Sequence, residues 1–306
     1  MTSGEVLRPG DRIGFVGLGN MGVPMVERLL GGGFAVNGYD IDPRQGTALD
    51  GRDGYTRAGT LTDLVRGTRA VILMLPDSQV VEAVLLGDRL LDIMKEEAPG
   101  SLLIDMSSSH PGETVRMAGE ARTRDVPFLD APVSGGVPAA RDGSLTVMTG
   151  GPDEMHALAR PALELIGSHV VHVGGTGAGH AMKAINNLLS ASTLVASAEA
   201  MVIGQRFGLD PKVMMDVLNG SSGRSWSTLT KWPRYIIPRT FDSGFTLGLL
   251  LKDIRIATAL AEQMGVPAPY AHTTESLYQR AVDEMPEDAD HTDIHRWVEQ
   301  LDEQGE

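Results

Sequence analysis

Cysteine is absent from the 306 residues, which excludes disulfide scaffolds, thiol nucleophiles and thiolate metal sites. Aromatic residues are scarce at 5%, and there are only five lysines: Lys95, Lys183, Lys212, Lys231 and Lys252. Positive charge is in short supply overall, with 26 Lys and Arg against 40 Asp and Glu, a formal net charge of −14. Phosphate backbones need a basic patch, so nucleic acid is not an expected partner. Much of the imbalance is local. Between Asp283 and Glu306 ten acidic residues face one basic residue, Arg296, and this −9 reads as a solvated helix face and tail. Long uninterrupted hydrophobic runs are missing too. Residues 1–11 are polar and hold no apolar stretch for a secretory signal. The most apolar segment, 185–204, is broken by Asn186, Asn187, several serines and Glu199. It is expected to be a core helix and not a membrane span, with the cytoplasm as the default location.

What is present describes a folded chain, 42% apolar and 22% charged, of a length that suits two domains. Short apolar runs at 12–16, 35–39, 70–75, 102–104, 127–129, 145–149 and 169–173 read as strands. Amphipathic stretches at 20–30, 79–86, 112–123 and 153–166 lie between most of them. Strands alternating with helices predict a doubly wound, largely parallel α/β sheet. Beyond Gly174 and Gly175 helical periods take over, at 179–207, 211–218, 247–264, 269–284 and 292–303. Gly174, Gly175, Gly177 and Gly179 mark the boundary, giving expected domains of 1–175 and 176–306, the second all-helical.

Ile13-Gly14-Phe15-Val16 runs directly into Gly17-Leu18-Gly19-Asn20-Met21-Gly22. A G-x-G-x-x-G string alone says little, but here it follows a strand and opens a helix, the context in which it binds dinucleotides. Gly17 permits the tight turn, Gly19 lets backbone approach a pyrophosphate, and Gly22 lets helix and strand pack closely. Exposed amides and the helix dipole attract the phosphates. The first domain is therefore expected to be of Rossmann type. Asp40 closes the second strand eighteen residues beyond Gly22, near the usual spacing of about 20. Its carboxylate would accept from an adenosine ribose and repel a 2′-phosphate, favouring NAD. Arg44 leaves NADP open, because a nearby arginine can accommodate that phosphate.

Lys183 stands in a mostly apolar helix just past the boundary, and Asn187, four residues on, projects from the same face. Beside a nicotinamide, such a face could bind a hydroxyl and carry its proton, since alcohol oxidation removes a proton as hydride departs. Desolvation between two domains would bring the amine down from its ordinary pKa of about 10.4. The other reading is a lysine that lays its stem on apolar surface with its ammonium in water, beside a structurally buried asparagine.

Five stretches then match a known pattern in order. They are Gly17 to Gly22 with Pro24-Met25; Met74-Leu75-Pro76 followed by Asp105-Met106-Ser107-Ser108; Asp130-Ala131-Pro132-Val133-Ser134-Gly135-Gly136 continuing to Gly143-Ser144-Leu145; Gly177-Ala178-Gly179 with Lys183, Asn186 and Asn187; and Lys252-Asp253. Together they resemble the β-hydroxyacid dehydrogenase family, and within it the 3-hydroxyisobutyrate dehydrogenases, from Ile13 to about Val282. The resemblance implies an NAD-dependent oxidoreductase, with NADP still open, that moves hydride between nicotinamide and a small anionic β-hydroxy acid or its semialdehyde. It implies Lys183 as catalytic acid/base and Asn187 as substrate holder. Ser134, Gly135 and Gly136 would bind the substrate carboxylate, where a hydroxyl and consecutive amides suit an anion without a cation. Leu75, Pro76, Ser108 and Lys252 would join the glycine loop and Asp40 as cofactor contacts, with no metal. Read without the resemblance, Ser134-Gly135-Gly136 is a plain turn and Lys252 an ordinary solvent-facing lysine.

Two departures stand out: Arg28 where the family often has asparagine, and a short loop over 232–245 near the place where relatives bind substrate. Trp226, Trp232, Tyr235 and Phe245 are equally readable as pocket lining or core, and Arg224 as a carboxylate clamp or a surface ion-pair residue. Tartronate-semialdehyde-type and sulfolactaldehyde-type reductases are the alternative substrates on this fold, and imine reduction a more distant one that Lys183 counts against. From another class, a non-catalytic nucleotide-binding scaffold shares the fold, because fold alone never settles function. Helical second domains of the family associate, so a homodimer or homotetramer is expected.

Overall fold

A computed structural model of the chain describes residues 5–304, so residues 1–4 of the polar start and the last two residues of the acidic tail lie outside the described residues. The chain folds as two compact units, Met1–Lys183 and Ala184–Glu306. The first holds strands β1 (Arg12–Val16), β2 (Ala35–Tyr39), β3 (Tyr55–Arg57), β4 (Ala70–Leu73), β5 (Leu102–Asp105), β6 (Phe128–Asp130), β7 (Val133–Ser134), β8 (Thr146–Gly150) and β9 (His169–Gly174). Its helices are α1 (Gly22–Gly31), α2 (Leu61–Val65), α3 (Ser78–Glu82), α4 (Leu90–Glu97), α5 (Pro111–Thr123), α6 (Gly136–Asp142) and α7 (Asp153–Ile166). Helix α8 (Ala178–Phe207) runs from this unit into the second, which adds α9 (Pro211–Asn219), α10 (Leu247–Gln263), α11 (Pro269–Glu284) and α12 (Ile294–Gln304).

Strands run in the order β3-β2-β1-β4-β5-β6-β8-β7, with β9 also on β8. The first six are mutually parallel, while β8 is antiparallel to β6 and β7. Both faces of this sheet are covered, and the period of two along each strand sorts side chains between them. In β4, Ala70 and Ile72 join one core with Phe15, Met25 and Leu29, while Val71 and Leu73 join the other with Leu64, Met94 and Met117. The order reverses at β1, where β2 and β4 lie to either side. Loops leaving the carboxyl ends of β1 and β4 thus flank the crevice in which such sheets bind ligands.

Expected strands recur within a residue or two. Strands β3 and β7 and helices α2, α4 and α6 are additional to those expected, elements of two to eight residues too short to display a period. In the second unit, part of the expected 232–245 loop is helical: Ser227–Ile236 forms a wide helix whose hydrogen bonds reach five residues, as from Ile237 N to Trp232 O. Pro233 lies inside it, and a ring without an N–H suits this widened form better than a regular turn. Trp232 is core, 2% exposed, with its indole N–H donated to Ser197 Oγ at 2.8 Å. Leu194, Val195, Ala198 and Met201 of α8 pack with it and with Leu250, Ile254, Tyr278 and Trp297. By length and composition α8 is apolar enough to cross a membrane, with half of its most apolar window buried inside the protein.

Candidate active site

The glycine loop follows β1 directly. Gly17 has φ +95°, and a Cβ there would lie 2.3 Å from the Met74 carbonyl oxygen. A Cβ on Gly22 would lie 1.9 Å from the Gly17 carbonyl oxygen, so neither position admits a side chain. Gly19 differs: a Cβ would meet nothing within 4 Å. Its bareness serves no internal packing and leaves room above the backbone, which fits a pyrophosphate laid against the loop. Asp40 ends β2 with Oδ2 accepting from Leu18 N at 2.7 Å and Oδ1 from Asp42 N at 2.9 Å. The carboxylate therefore stands beside the glycine loop, its remaining lone pairs suited to ribose hydroxyls. Arg44 is turned to Asp42, Nη2 to Oδ2 2.9 Å, on the surface.

Leu75 and Pro76 leave β4 beside this loop. Leu75 N donates to Ser107 Oγ at 3.0 Å, which ties them to the turn after β5. In that turn Ser107 and Ser109 are buried and bonded to Asp105, by Ser107 N at 3.0 Å and Ser109 Oγ at 3.3 Å, while Ser108 between them is half-buried.

A buried network then fixes the start of α8. Asp130 is fully buried and accepts from Gly177 N at 2.7 Å and from His180 N at 3.2 Å, satisfying amides that a helix start leaves over. His180 Nε2 donates to the Ser107 carbonyl at 3.0 Å, which can only accept, and Nδ1 meets Thr114 Oγ1 at 2.8 Å. Burial raises the Asp130 carboxyl above its ordinary range, against the opposing pull of His180. One turn on from His180, the Lys183 Nζ donates to the Val133 carbonyl at 3.0 Å. Val133 leads into Ser134, Gly135 and Gly136, and the two glycines have φ of +133° and +69°, outside the range of ordinary side chains. Lys183 and the Ser134–Gly136 turn are thus brought together. Asp130 and His180 carry this placement. The sequence offered one signal for them, a histidine in an apolar helix three residues before Lys183.

In the second unit Asn187 Nδ2 donates to Asp253 Oδ2 at 2.6 Å, and its Oδ1 accepts from Asn186 Nδ2 at 3.1 Å. Asp253 is buried and its Oδ1 lies 3.2 Å from Lys252 Nζ, so Lys252, Asp253 and Asn187 form one cluster. Trp226 is 68% exposed, Arg224 is exposed without an ion pair among the described residues, and Phe245 packs edge-on against His291 at 5.6 Å. A cavity of about 150 Å³ in this unit, lined by Lys212, Trp232, Arg239 and His295 among others, contains none of the motif residues. Arg28 donates Nε to the Leu165 carbonyl at 3.1 Å and covers Gly143, so its replacement of asparagine is a packing matter.

Residues 12–174 match the model of the NAD binding domain of 6-phosphogluconate dehydrogenase, and residues 177–298 that of the NAD-binding domain of NADP-dependent 3-hydroxyisobutyrate dehydrogenase. A 3-hydroxyisobutyrate dehydrogenase of Pseudomonas aeruginosa is 37% identical over 87% of this chain and 90% of its own length. A 2-(hydroxymethyl)glutarate dehydrogenase of Eubacterium barkeri is 33% identical over 88% of each. Among solved structures, the Mycobacterium tuberculosis 3-hydroxyisobutyrate dehydrogenase with L-serine superposes with a TM-score of 0.84 at 32% identity, covering 94% of this chain and 99% of that one.

Proposed function

We propose, from the premise that this chain belongs to the β-hydroxyacid dehydrogenase family in its 3-hydroxyisobutyrate dehydrogenase branch, that Lys183 is the catalytic acid/base and that Asn187 and the Ser134–Gly136 turn hold the substrate. As a family member the chain is an NAD(P)-dependent dehydrogenase acting on the CH–OH group of small hydroxy acids. The hydrogen bond from Lys183 Nζ to the Val133 carbonyl carries the assignment of roles, because it holds the amine beside the strand that becomes the anion-binding turn. When bound, the nicotinamide accepts or gives the hydride. In the oxidative direction the Lys183 amine takes the hydroxyl proton, and in the reductive direction its ammonium returns one. The Ser134 hydroxyl and the Gly135 and Gly136 amides receive the carboxylate. The Asn187 amide, aimed by Asp253, holds the reacting hydroxyl. Gly17 to Gly22, Leu75, Pro76, Ser108 and Lys252 would hold the dinucleotide, and Asp40 would favour NAD over NADP.

Residues 1–175 would form the dinucleotide-binding domain and also lend the Ser134–Gly136 turn to the substrate, while residues 176–306 would form the helical domain that supplies Asn187, Lys252 and the surface for association. The reading takes 3-hydroxyisobutyrate as the first substrate, with tartronate semialdehyde or sulfolactaldehyde as alternatives. Exposed Ile185, Leu189, Ile203 and Phe207 on α8, with Val213 and Val217 on α9, support association as a homodimer or homotetramer; the cytoplasm is the location proposed for it. A panel of 3-hydroxyisobutyrate, L-serine and D-glycerate with NAD and with NADP tests the activity. Lys183→Ala should lower kcat by about 10²- to 10⁴-fold while NADH fluorescence titration shows binding retained. Undiminished turnover by that variant would remove Lys183 from the chemistry.

A further inference from the structure

Lys231 lies in the wide helix Ser227–Ile236 and is half-buried. Its Nζ donates to Ser190 Oγ at 3.0 Å, and no carboxylate of the described residues comes within ion-pair reach of it. Asp290 acts on it through space only. That carboxylate is already taken by Ser243 Oγ at 2.7 Å, Gly244 N at 3.0 Å, Thr292 N at 3.0 Å and Thr292 Oγ1 at 2.6 Å. The nearby His291 ring, pushed by burial and then by the Lys231 charge to a pKa of about 3, offers no anion either. Burial pulls the Lys231 ammonium down to about 8, as expected of a cation held away from water with little compensation.

Ser190 continues the face of α8 that bears Asn187, because residues three and four apart line up on a helix. One step further along that line Leu194 is fully buried, at 0% exposure. Lys231 therefore closes the polar stretch of this face at the edge of the apolar core.

We propose that Lys231 is a specificity-determining residue which receives a second anionic group of the substrate, a carboxylate or sulfonate additional to the one taken by the Ser134–Gly136 turn, so that the preferred substrates are dianionic hydroxy acids. This deepens the function proposed above and rests on Asn187 holding the substrate. A desolvated cation with no anion beside it costs free energy, and an arriving anion recovers it. A monoanionic hydroxy acid leaves that cost in place.

The test compares wild type, Lys231→Met and Lys231→Arg, each with NAD, on 3-hydroxyisobutyrate, 2-(hydroxymethyl)glutarate and 3-sulfolactate. The last two separate a second carboxylate from a sulfonate. Wild type should favour at least one dianion. Lys231→Met should lower kcat/KM for that dianion by about 10- to 100-fold, through KM, while 3-hydroxyisobutyrate changes by less than about threefold. Lys231→Arg should restore most of the loss. Equal effects of Lys231→Met on monoanion and dianion, or none on either, would overturn the proposal. Calorimetric binding of glutarate against butyrate to the NADH-loaded protein gives a readout independent of turnover. If no hydroxy acid is oxidised the dehydrogenase roles assigned above fail, yet glutarate should still bind wild type more tightly than Lys231→Met, and equal binding would sink the role of Lys231. Thermal unfolding by circular dichroism confirms that each variant is folded, as a buried Lys→Met exchange should be.

Discussion

The glycine loop after β1 and the Asn187 face of α8 build binding surfaces in opposite ways. The loop uses backbone: amides, a positive φ at Gly17, and the bareness of Gly19 and Gly22. The Asn187 face uses side chains whose partners arrive from distant helices, Asp253 from 66 residues away and Lys231 from 41 residues beyond Ser190. Backbone geometry is set locally, so it leaves a mark in the spacing of a few residues. Side-chain geometry is set by packing, so its mark in the sequence is faint. A backbone-built surface is also indifferent to pH, whereas one built near ionisable groups is not.

The largest effect should come from splitting the two roles of glycine within the loop. Gly22→Ala places a methyl 1.9 Å from the Gly17 carbonyl oxygen, a backbone atom with little freedom to move. It should cost about 3 kcal/mol or more and lower the unfolding temperature of the first unit. Gly19→Ala meets nothing within 4 Å and should unfold as wild type does. Its methyl occupies the space kept for the dinucleotide, so NADH affinity should fall by about 5- to 150-fold, the equivalent of 1–3 kcal/mol of overpacking. Thermal melts and NADH titrations read the pair. Gly19→Ala binding NADH normally would show that its bareness has no part in cofactor binding.

The same contrast decides what the sequence revealed. Strands β1 and β2 are legible to the residue because both flank a motif and carry apolar runs, and the order of β1, the glycine loop, α1 and Asp40 is local. Lys183 is legible as a lone lysine in an apolar helix, but its contact with Val133 spans 50 residues and depends on β7, two residues long. Asp130 and His180 do most to fix the start of α8, yet nothing in the sequence pairs the head of one motif with a histidine in an apolar helix, and their meeting needs β6 and α8 to be folded. Trp232 is a further case. Burial against Ser197 resolves it as core, and only tertiary packing could decide that.

Acid should separate the two units. In the second, burial lowers the His291 ring from 6.5 to about 3 and also lowers His295. Below about pH 6.5 the unfolded chain takes up protons there that the folded chain refuses, so stability is lost as pH falls from 6.5 toward 3. Asp290, lowered by its Ser243 and Thr292 hydrogen bonds in spite of burial, adds a loss at lower pH still, and Asp293, raised by burial, opposes it. In the first unit Asp130 is raised by burial, so protonation favours its folded state as pH falls, although His156 shares the sign of His291. All three tryptophans, Trp226, Trp232 and Trp297, belong to the second unit, and all nine described strands to the first. On acidification tryptophan emission should therefore change at a higher pH than the strand signal in circular dichroism, and His291→Gln should move the emission midpoint to lower pH. Coincident transitions that ignore His291→Gln would erase the contrast.

The smallest effect is expected where backbone and side chain meet. Asp40 accepts from the Leu18 and Asp42 amides, so Asp40→Asn turns an NH₂ group toward one of two N–H donors and loosens the loop slightly, at about 1 kcal/mol. It also removes the charge that would repel a 2′-phosphate. Arg44 is 88% exposed, and its pairing with Asp42 yields readily to a stronger anion. The NAD-over-NADP ratio of kcat/KM should consequently narrow by about tenfold, mainly through weaker use of NAD, and Asp40→Ser should narrow it further by making room. Steady-state rates with both cofactors at one ionic strength check this. A wild-type protein that already prefers NADPH would mean that the carboxylate serves the loop's own amides and not the cofactor's ribose, a purely structural acid at the one place where the local pattern is clearest.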